Sequence, residues 1–300
     1  MKIAIIGTSN ITNNHIEAFG RFKKNILSIS STRKKSKNLN KFREKFKIKN
    51  IYFDWRKGIK EACKVKDSVF FITSRVKDNK KILRECCKTK KKIFIEKPVF
   101  IKNKDFKVFE RFNNQIFVGY NRIYYNGIQK LKNKIDINNV SNIIVKCPEE
   151  NKFQILNNSC HIISILFFLF GDLRLEKKIK IKNSIQCILT NKDKIKIYIF
   201  FNLKNSSNFS IEIYEQLKKY EINPIEITTG YLGIKKKKMK KGIIYIPKIN
   251  FKYDEYKLSS RKPGFEKQFF SFRQFVRGKK IFNNLSLAKR ITKLTNAIIN

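Results

Sequence analysis

The chain has 300 residues, with 68 Lys+Arg against 23 Asp+Glu and a formal net charge of +45. Its 42% hydrophobic and 13% aromatic content excludes wholesale disorder, and its longest nearly apolar run, residues 162–170, falls short of the roughly 20 residues a membrane-spanning helix needs. The basic excess is mostly Lys spread along the chain, beside abundant Ile and Asn, 27 Phe and only 11 Gly and 5 Pro. That usage is expected of AT-rich coding DNA, whereas a nucleic-acid binder would gather its basic residues on one face and favour Arg.

The first 122 residues alternate short apolar runs with helical patterns. Strands are predicted at Lys2–Ile6, Asn25–Ser30, Ile51–Tyr52, Ser68–Thr73, Lys92–Ile95 and Gln115–Gly119. Helices are predicted between them, near Thr12–Phe22, Leu39–Phe46, Trp55–Lys64, Asp78–Lys88 and Asp105–Asn113. Repeated strand–helix units of this length predict an α/β Rossmann domain, a doubly wound parallel sheet, over residues 1–122.

From residue 123 the rhythm changes. A helix near Gly127–Ile135 precedes a strand at Asn142–Lys146, and the apolar segment 158–170 predicts a helix closed by Gly171. β-prone stretches follow at Ile179–Thr190, Lys194–Phe201, Phe209–Tyr214 and Ile225–Thr229. Lys235–Lys241 reads as a basic loop, and helices near Gly264–Arg277 and Ser286–Ile299 close the chain. Residues 123–300 are thus expected to form an α+β substrate and oligomerisation domain on a mostly antiparallel open sheet, its final helices able to pack back on the first domain.

Six cysteines at 63, 86, 87, 147, 160 and 187 include no Cys-x-x-Cys pair, and only His15 and His161 could join them. No metal site is expected. Unpaired thiols and the lack of an N-terminal signal-peptide pattern predict a cytoplasmic protein.

Gly7-Thr8-Ser9-Asn10-Ile11-Thr12 lies between the first strand and the first helix, where a dinucleotide pyrophosphate rests on backbone amides. Only the first of the three fingerprint glycines is Gly, and a small Ser9 holds the second position. After the second strand, Ser31-Thr32-Arg33-Lys34-Lys35 supplies hydroxyls and cations where an NAD-binding domain carries an acid. That composition suits a 2′-phosphate, so NADP is the expected cofactor, with NAD the alternative.

Further along stand Glu96-Lys97-Pro98-Val99, Val118-Gly119-Tyr120-Asn121-Arg122, His161 on an apolar helix ending Phe168-Leu169-Phe170-Gly171, and Leu285-Ser286-Leu287-Ala288. With Ile5-Ile6-Gly7 and His15, these motifs resemble the glucose–fructose oxidoreductase, inositol dehydrogenase and rhizopine-catabolism (Gfo/Idh/MocA) family, in its order and over nearly the whole chain. The resemblance implies an NAD(P)-dependent oxidoreductase acting on a CH–OH or carbonyl group of a sugar, nucleotide sugar or polyol. It also implies a homo-oligomer, formed through the open face of the second sheet. It places Thr73, Ser74, Glu96 and Lys97 at the cofactor, Lys97 and His161 as the proton-transferring pair, and Tyr120, Asn121, Arg122 and Asn157 beside His161 at the substrate.

Departures from the family pattern mark a divergent member. Asn157 and Ser164 stand where many relatives have Asp, four residues before and three after the His. Ser74 replaces a common Pro. The Lys–Asp–His relay is therefore incomplete, and a cofactor-binding but inactive sensor or scaffold is the alternative function.

Overall fold

The computed structural model describes residues 1–33 and 36–300. Lys34 and Lys35, the end of the basic stretch assigned to phosphate, lie outside the described residues. The chain divides into two compact units, Met1–Asn121 with Gly264–Lys293, and Arg122–Pro263 with Leu294–Asn300.

In the first unit, strands β1 (Lys2–Ile6), β2 (Ile26–Ser30), β3 (Ile51–Tyr52), β4 (Ser68–Ile72), β5 (Ile93–Glu96) and β6 (Ile116–Gly119) form one sheet in the order β3-β2-β1-β4-β5-β6. Every pairing is parallel. The order reverses between β1 and β4, the topological switch point at which open α/β sheets bind ligands beyond the carboxyl ends of their strands. The connecting helices are α1 (Asn10–Ala18), α2 (Lys37–Phe46), α3 (Trp55–Cys63) and α4 (Val76–Lys88). Helix α4 shows the physical reason for its place. It buries Asn79, Ile82, Leu83, Cys86 and Cys87, one stripe at helical spacing, and leaves its lysines in water.

The core of this sheet is aromatic. In-register pairing sets Phe71 beside Phe94 and Phe94 beside Phe117 on three neighbouring strands. The first two rings stack at 3.9 Å, and Phe272 sits edge-on to all three. Phe272 belongs to residues 264–293, which join this unit rather than residues 123–263 because Phe265, Phe269, Phe272 and Phe275 present buried rings on one side of the late helix Phe265–Val276. Between β5 and β6 the expected α-helix is instead a run of 3₁₀ turns, Asn103–Gln115. Its buried residues, Phe106 and Phe109, lie three apart and so recur on one side of a three-residue turn.

The second unit contains α5 (Asn126–Lys134), strand β7 (Val140–Glu149), the short helix α6 (Lys152–Gln154), a widened turn over Ile155–Ser159 and helix α7 (Cys160–Phe170). Seven more strands follow: β8 (Arg174–Ile181), β9 (Ser184–Thr190), β10 (Lys196–Leu203), β11 (Ser210–Glu215), β12 (Lys218–Ile222), β13 (Ile227–Met239) and β14 (Gly242–Asp254). They form an eight-stranded sheet ordered β14-β13-β12-β11-β7-β10-β9-β8. Only β7 and β10 run parallel; the other pairings are antiparallel. Helices α8 (Glu255–Leu258), α9 (Phe265–Val276) and α10 (Leu285–Ile299) complete the chain.

Two expectations are corrected here. Lys235–Lys241 is not a loop: Lys235 to Lys238 continue β13 and pair with Ile243 to Ile246 of β14, with the turn at 240–241. Hairpin pairing satisfies the backbone while these lysine side chains stay exposed. Residues 179–190 are not one strand but the hairpin β8–β9, which turns at Lys182 with φ at 45°. The continuous helix over Lys152–Phe170 is also longer than its apolar run and reaches the length and composition of a membrane span, although most of it is buried inside the fold.

Candidate functional site

The carboxyl ends of β1, β2 and β4 are level, with Ile6 opposite both Ser30 and Ile72. The segments that follow these strands therefore emerge at one edge. They enclose a cleft of about 430 Å³ lined by Gly7, Thr8, Ser9, Thr32, Arg33, Ser36, Lys37, Asn38, Thr73, Ser74 and Arg75. Among the described residues no acid lines it, and three cations do. Arg75 is pinned by two bonds to Asp78 Oδ2, at 3.0 and 3.1 Å.

Gly7 is fixed by close approach. Its φ is +124°, and a Cβ there would lie 2.6 Å from the carbonyl carbon of Thr73 and 2.7 Å from the Ser74 nitrogen. Any other residue would push the first turn away from β4. Hydroxyls occupy the other two fingerprint positions. Ser9 donates to the Thr73 carbonyl at 2.9 Å and lies 3.3 Å from the Thr12 hydroxyl. The Thr12 and Thr73 hydroxyls are 2.8 Å apart and fully buried. A polar lock thus joins the start of α1 to the end of β4 where glycines would give plain close packing. Helix α1 begins at Asn10 with no acid in its first turn, so its N-terminal partial charge is left for an anion.

The sequence-derived cofactor residues divide accordingly. Gly7, Thr8, Ser9, Thr32, Arg33, Thr73 and Ser74 line the cleft. Ser31 does not: its buried hydroxyl donates to the Arg33 carbonyl and accepts the Arg33 N–H, both at 3.0 Å, shaping the loop that presents Arg33. Asn10 lines a neighbouring hollow with Lys41 and Lys45, and Ile11 lines neither. Ser36, Lys37, Asn38 and Arg75 were not singled out from the sequence. The basic run from 33 to 37 carried a signal for Lys37, but only the fold brings Arg75 round from the end of β4.

Glu96 and Lys97 lie outside this cleft, at the end of β5. Glu96 is buried and its Oε1 is 2.6 Å from His15 Nε2, while His15 sits among the rings of Phe71, Phe94 and Phe265. The other oxygen, Oε2, accepts the Lys97 N–H at 3.2 Å. On β6, Gly119 stands opposite Glu96, and a Cβ there would come within 2.9 Å of Glu96 Oε1. The two short motifs are thus one construction: the glycine leaves room for the glutamate, which ties α1 to the backbone of half-buried Lys97. Beyond Gly119, Tyr120 is core at 1% exposure and Asn121 is buried, with the Tyr120 carbonyl held by Asn283 Nδ2 at 3.2 Å.

In the second unit His161 is buried as the second residue of α7. The positions where relatives carry Asp are otherwise engaged. Ser164 donates to the His161 carbonyl at 2.6 Å, and exposed Asn157 accepts the Cys160 thiol through its carbonyl at 3.4 Å. A carboxylate does reach this helix from another element. Glu149 Oε1, at the end of β7, accepts the Ser159 N–H at 3.0 Å and also the Ser159 hydroxyl, and Oε2 accepts Asn158 Nδ2 at 3.3 Å. Burial raises the Glu149 carboxyl above its ordinary range, against the pull of these donors and of the Arg122 guanidinium. Arg122 and Glu149 line a cleft of about 410 Å³ with Glu150, Lys204 and Glu226. No sequence motif marks Glu149; only the strand end brings it to the turn.

A parallel sheet in this strand order, with a basic cleft at its switch point, defines an NAD(P)-binding Rossmann fold. Residues 1–119 match the family profile described as oxidoreductase family, NAD-binding Rossmann fold. Among solved structures, the fold is similar to a dehydrogenase, MviM, of Clostridium difficile, at 15% identity and TM-score 0.74 over 100% of this chain and 99% of that one. It is similar to a 3-ketoreductase of Actinomadura kijaniata crystallised with TDP-benzene and NADP, at 11% identity and TM-score 0.72, covering 99% and 96%. It is also similar to the UDP-N-acetylglucosamine 3-dehydrogenase GnnA of Acidithiobacillus ferrooxidans, at 9% identity and TM-score 0.74, again over 99% and 96%. No curated protein matches the sequence.

Proposed function

We propose that the chain is an NADP-preferring oxidoreductase that moves hydride to or from an oxygen-bearing carbon of a sugar or nucleotide sugar. The observation that carries this reading is the acid-free cleft at the switch point, with Arg33, Lys37 and Arg75 on its wall. Its donor set fits a phosphorylated dinucleotide. The Gly7–Ser9 turn and the α1 N-terminus suit a pyrophosphate, and Thr32 and Arg33 at the end of β2 suit a 2′-phosphate, where an acid would repel it. When bound, the nicotinamide supplies or accepts the hydride.

The protein's own part is positioning and proton transfer. Lys97, with its backbone held by Glu96, gives a proton to the carbonyl oxygen on reduction and takes one on oxidation. His161 is the second titratable group of the same reading, with Asn157 and Arg122 as polar contacts for sugar hydroxyls. The nucleotide-sugar preference draws support from the neighbours named above. Self-association through the second sheet belongs to this reading and is supported by exposed Ile234, Ile243, Tyr245 and Ile249. A cytoplasmic location is supported by the cysteines, among which no disulfide forms in the described residues.

A panel of 3-keto nucleotide sugars offered with NADPH, followed by nicotinamide absorbance, tests the activity. Turnover that falls at least a hundredfold in Lys97→Ala, with NADPH binding retained, is the expected result. Binding without turnover across the panel favours the second reading, a cofactor-binding sensor, which the uncharged Asn157 and Ser164 support.

A further inference from the structure

We infer that Glu149 is a positioning residue for His161: its carboxylate holds open the widened helical turn at Ile155–Ser159 and so sets the direction in which His161 projects. The inference rests on the proposed function only in giving His161 chemical importance; the geometry stands apart from it.

The helix from Lys152 to Phe170 begins as ordinary α-helix, widens over five residues, and returns to α-helix at Cys160. A widened turn inserts one residue into the helical count. Each residue advances an α-helix by about 100°, so everything after the insertion is rotated by that amount relative to an unbroken helix. His161 is the second residue after it. Such turns loosen the regular hydrogen-bond ladder and persist where another acceptor takes up the displaced N–H groups.

Glu149 is that acceptor. It reaches across from the end of β7 to the Ser159 N–H and hydroxyl on one oxygen and to Asn158 Nδ2 on the other. Strand β7 is central in its sheet, between β11 and β10, and the Glu149 carbonyl accepts the Lys204 N–H at 2.8 Å, so the carboxylate extends from a fixed support. The helix start has its own separate cap, Asn151 Oδ1, which accepts the Phe153 and Gln154 N–H groups at 3.0 and 3.3 Å. One helix thus carries two polar anchors, and the second falls at the turn rather than at the end. Burying a carboxylate is costly unless hydrogen bonds replace the water it loses. The hydrogen bonds that the Glu149 carboxylate accepts from Asn158 Nδ2, the Ser159 N–H and the Ser159 hydroxyl all go to the widened turn.

The test uses the full chain and the imidazole signals of its two histidines. His15 lies in the first unit, bound to Glu96, and is the internal reference. Glu149→Asp keeps the charge and withdraws the acceptor by one methylene; Glu149→Gln removes the charge and keeps the reach. If Glu149 acts through its hydrogen bonds, Glu149→Asp moves the His161 signals and its titration midpoint while His15 is unchanged, and Glu149→Gln returns the His161 signals to their wild-type positions. Where a substrate turns over, Glu149→Asp also lowers kcat about tenfold or more with KM for NADPH unchanged. His161 signals equal to wild type in Glu149→Asp overturn the inference, as do signals displaced more in Glu149→Gln than in Glu149→Asp, or a joint shift of both histidines. NADPH binding, measured on the same samples, tests the proposed function separately.

Discussion

The hydroxyls of Thr12 and Thr73 lie 2.8 Å apart, both fully buried, and join the first helix to the end of the fourth strand. They occupy the seam beneath the candidate cofactor cleft, where a dinucleotide fingerprint would place a glycine. A buried hydroxyl that loses its partner costs about 1–3 kcal/mol, whereas removing both partners is nearly neutral. Thr12→Val and Thr73→Val are each expected to destabilise the protein by that amount, and the double variant by less than the sum. Denaturant unfolding of the four proteins checks this; strict additivity would show that the two hydroxyls do not interact.

Gly7 and Gly119 are held for different reasons and predict different losses. Gly7→Ala places a Cβ against the Thr73 and Ser74 backbone at a φ of +124°, so both stability and dinucleotide binding are expected to fall sharply. Gly119→Ala meets side chains rather than backbone, the Glu96 carboxylate at 2.9 Å and the Phe94 ring at 3.0 Å, and the carboxylate can move. The expected outcome is a folded protein in which the His15–Glu96 contact is broken, read as a shift of the His15 imidazole signals with the His161 signals in place.

Glu149 predicts a pH dependence of stability. Burial raises its folded carboxyl above the ordinary range. A carboxyl raised on folding holds its proton longer in the native state than in the unfolded chain. Its stability contribution is therefore present at acid pH and lost as pH rises through the folded pKa. Glu149→Gln removes that loss. The variant is expected to gain melting temperature over wild type as pH rises from the acid range to neutrality; a difference that is flat with pH would contradict the assignment.

Five of the six cysteines are buried and one, Cys63, is exposed. Burial pushes the Cys87 thiol up to about 12 and Cys187 up to about 11, and raises Cys86 and Cys147 as well. Alkylation of the native protein at mildly alkaline pH is expected to label Cys63 alone, as peptide mapping would show. Labelling of the adjacent Cys86–Cys87 pair before unfolding would mean that α4 opens.

The Rossmann half was legible because parallel strands buried on both faces are continuous apolar runs, as in Val69-Phe70-Phe71-Ile72, and because each run ends near a small or polar residue. The second sheet was less legible, and lysine is the reason. The five non-glycine residues at positive φ among those described are Lys47, Lys90, Lys182, Lys194 and Lys204, so turns that Gly or Asn would have marked look like any other basic stretch. That hid the β8–β9 hairpin, whose turn is at Lys182, while the β13–β14 hairpin looked like a loop because its paired residues 235–238 are all exposed lysines with no apolar alternation. At the site, Gly7 and Arg33 were singled out by their distance from a strand end, and Lys97 by the motif Glu96-Lys97-Pro98. Arg75 and Glu149 could not, because their roles depend on which strand lies beside which. Glu96 was visible as part of a motif, but its bond to His15 was not, since 81 residues separate the two.

Cofactor binding by the cleft at the switch point decides the proposed function most directly. Calorimetric titration of the full chain with NADPH and with NADH, repeated on Arg33→Ala, measures it. Saturable NADPH binding at least tenfold tighter than NADH, with the difference lost in Arg33→Ala, is the predicted result. Equal or tighter binding of NADH would contradict the NADP assignment, and binding of neither at millimolar concentration would contradict the oxidoreductase reading itself.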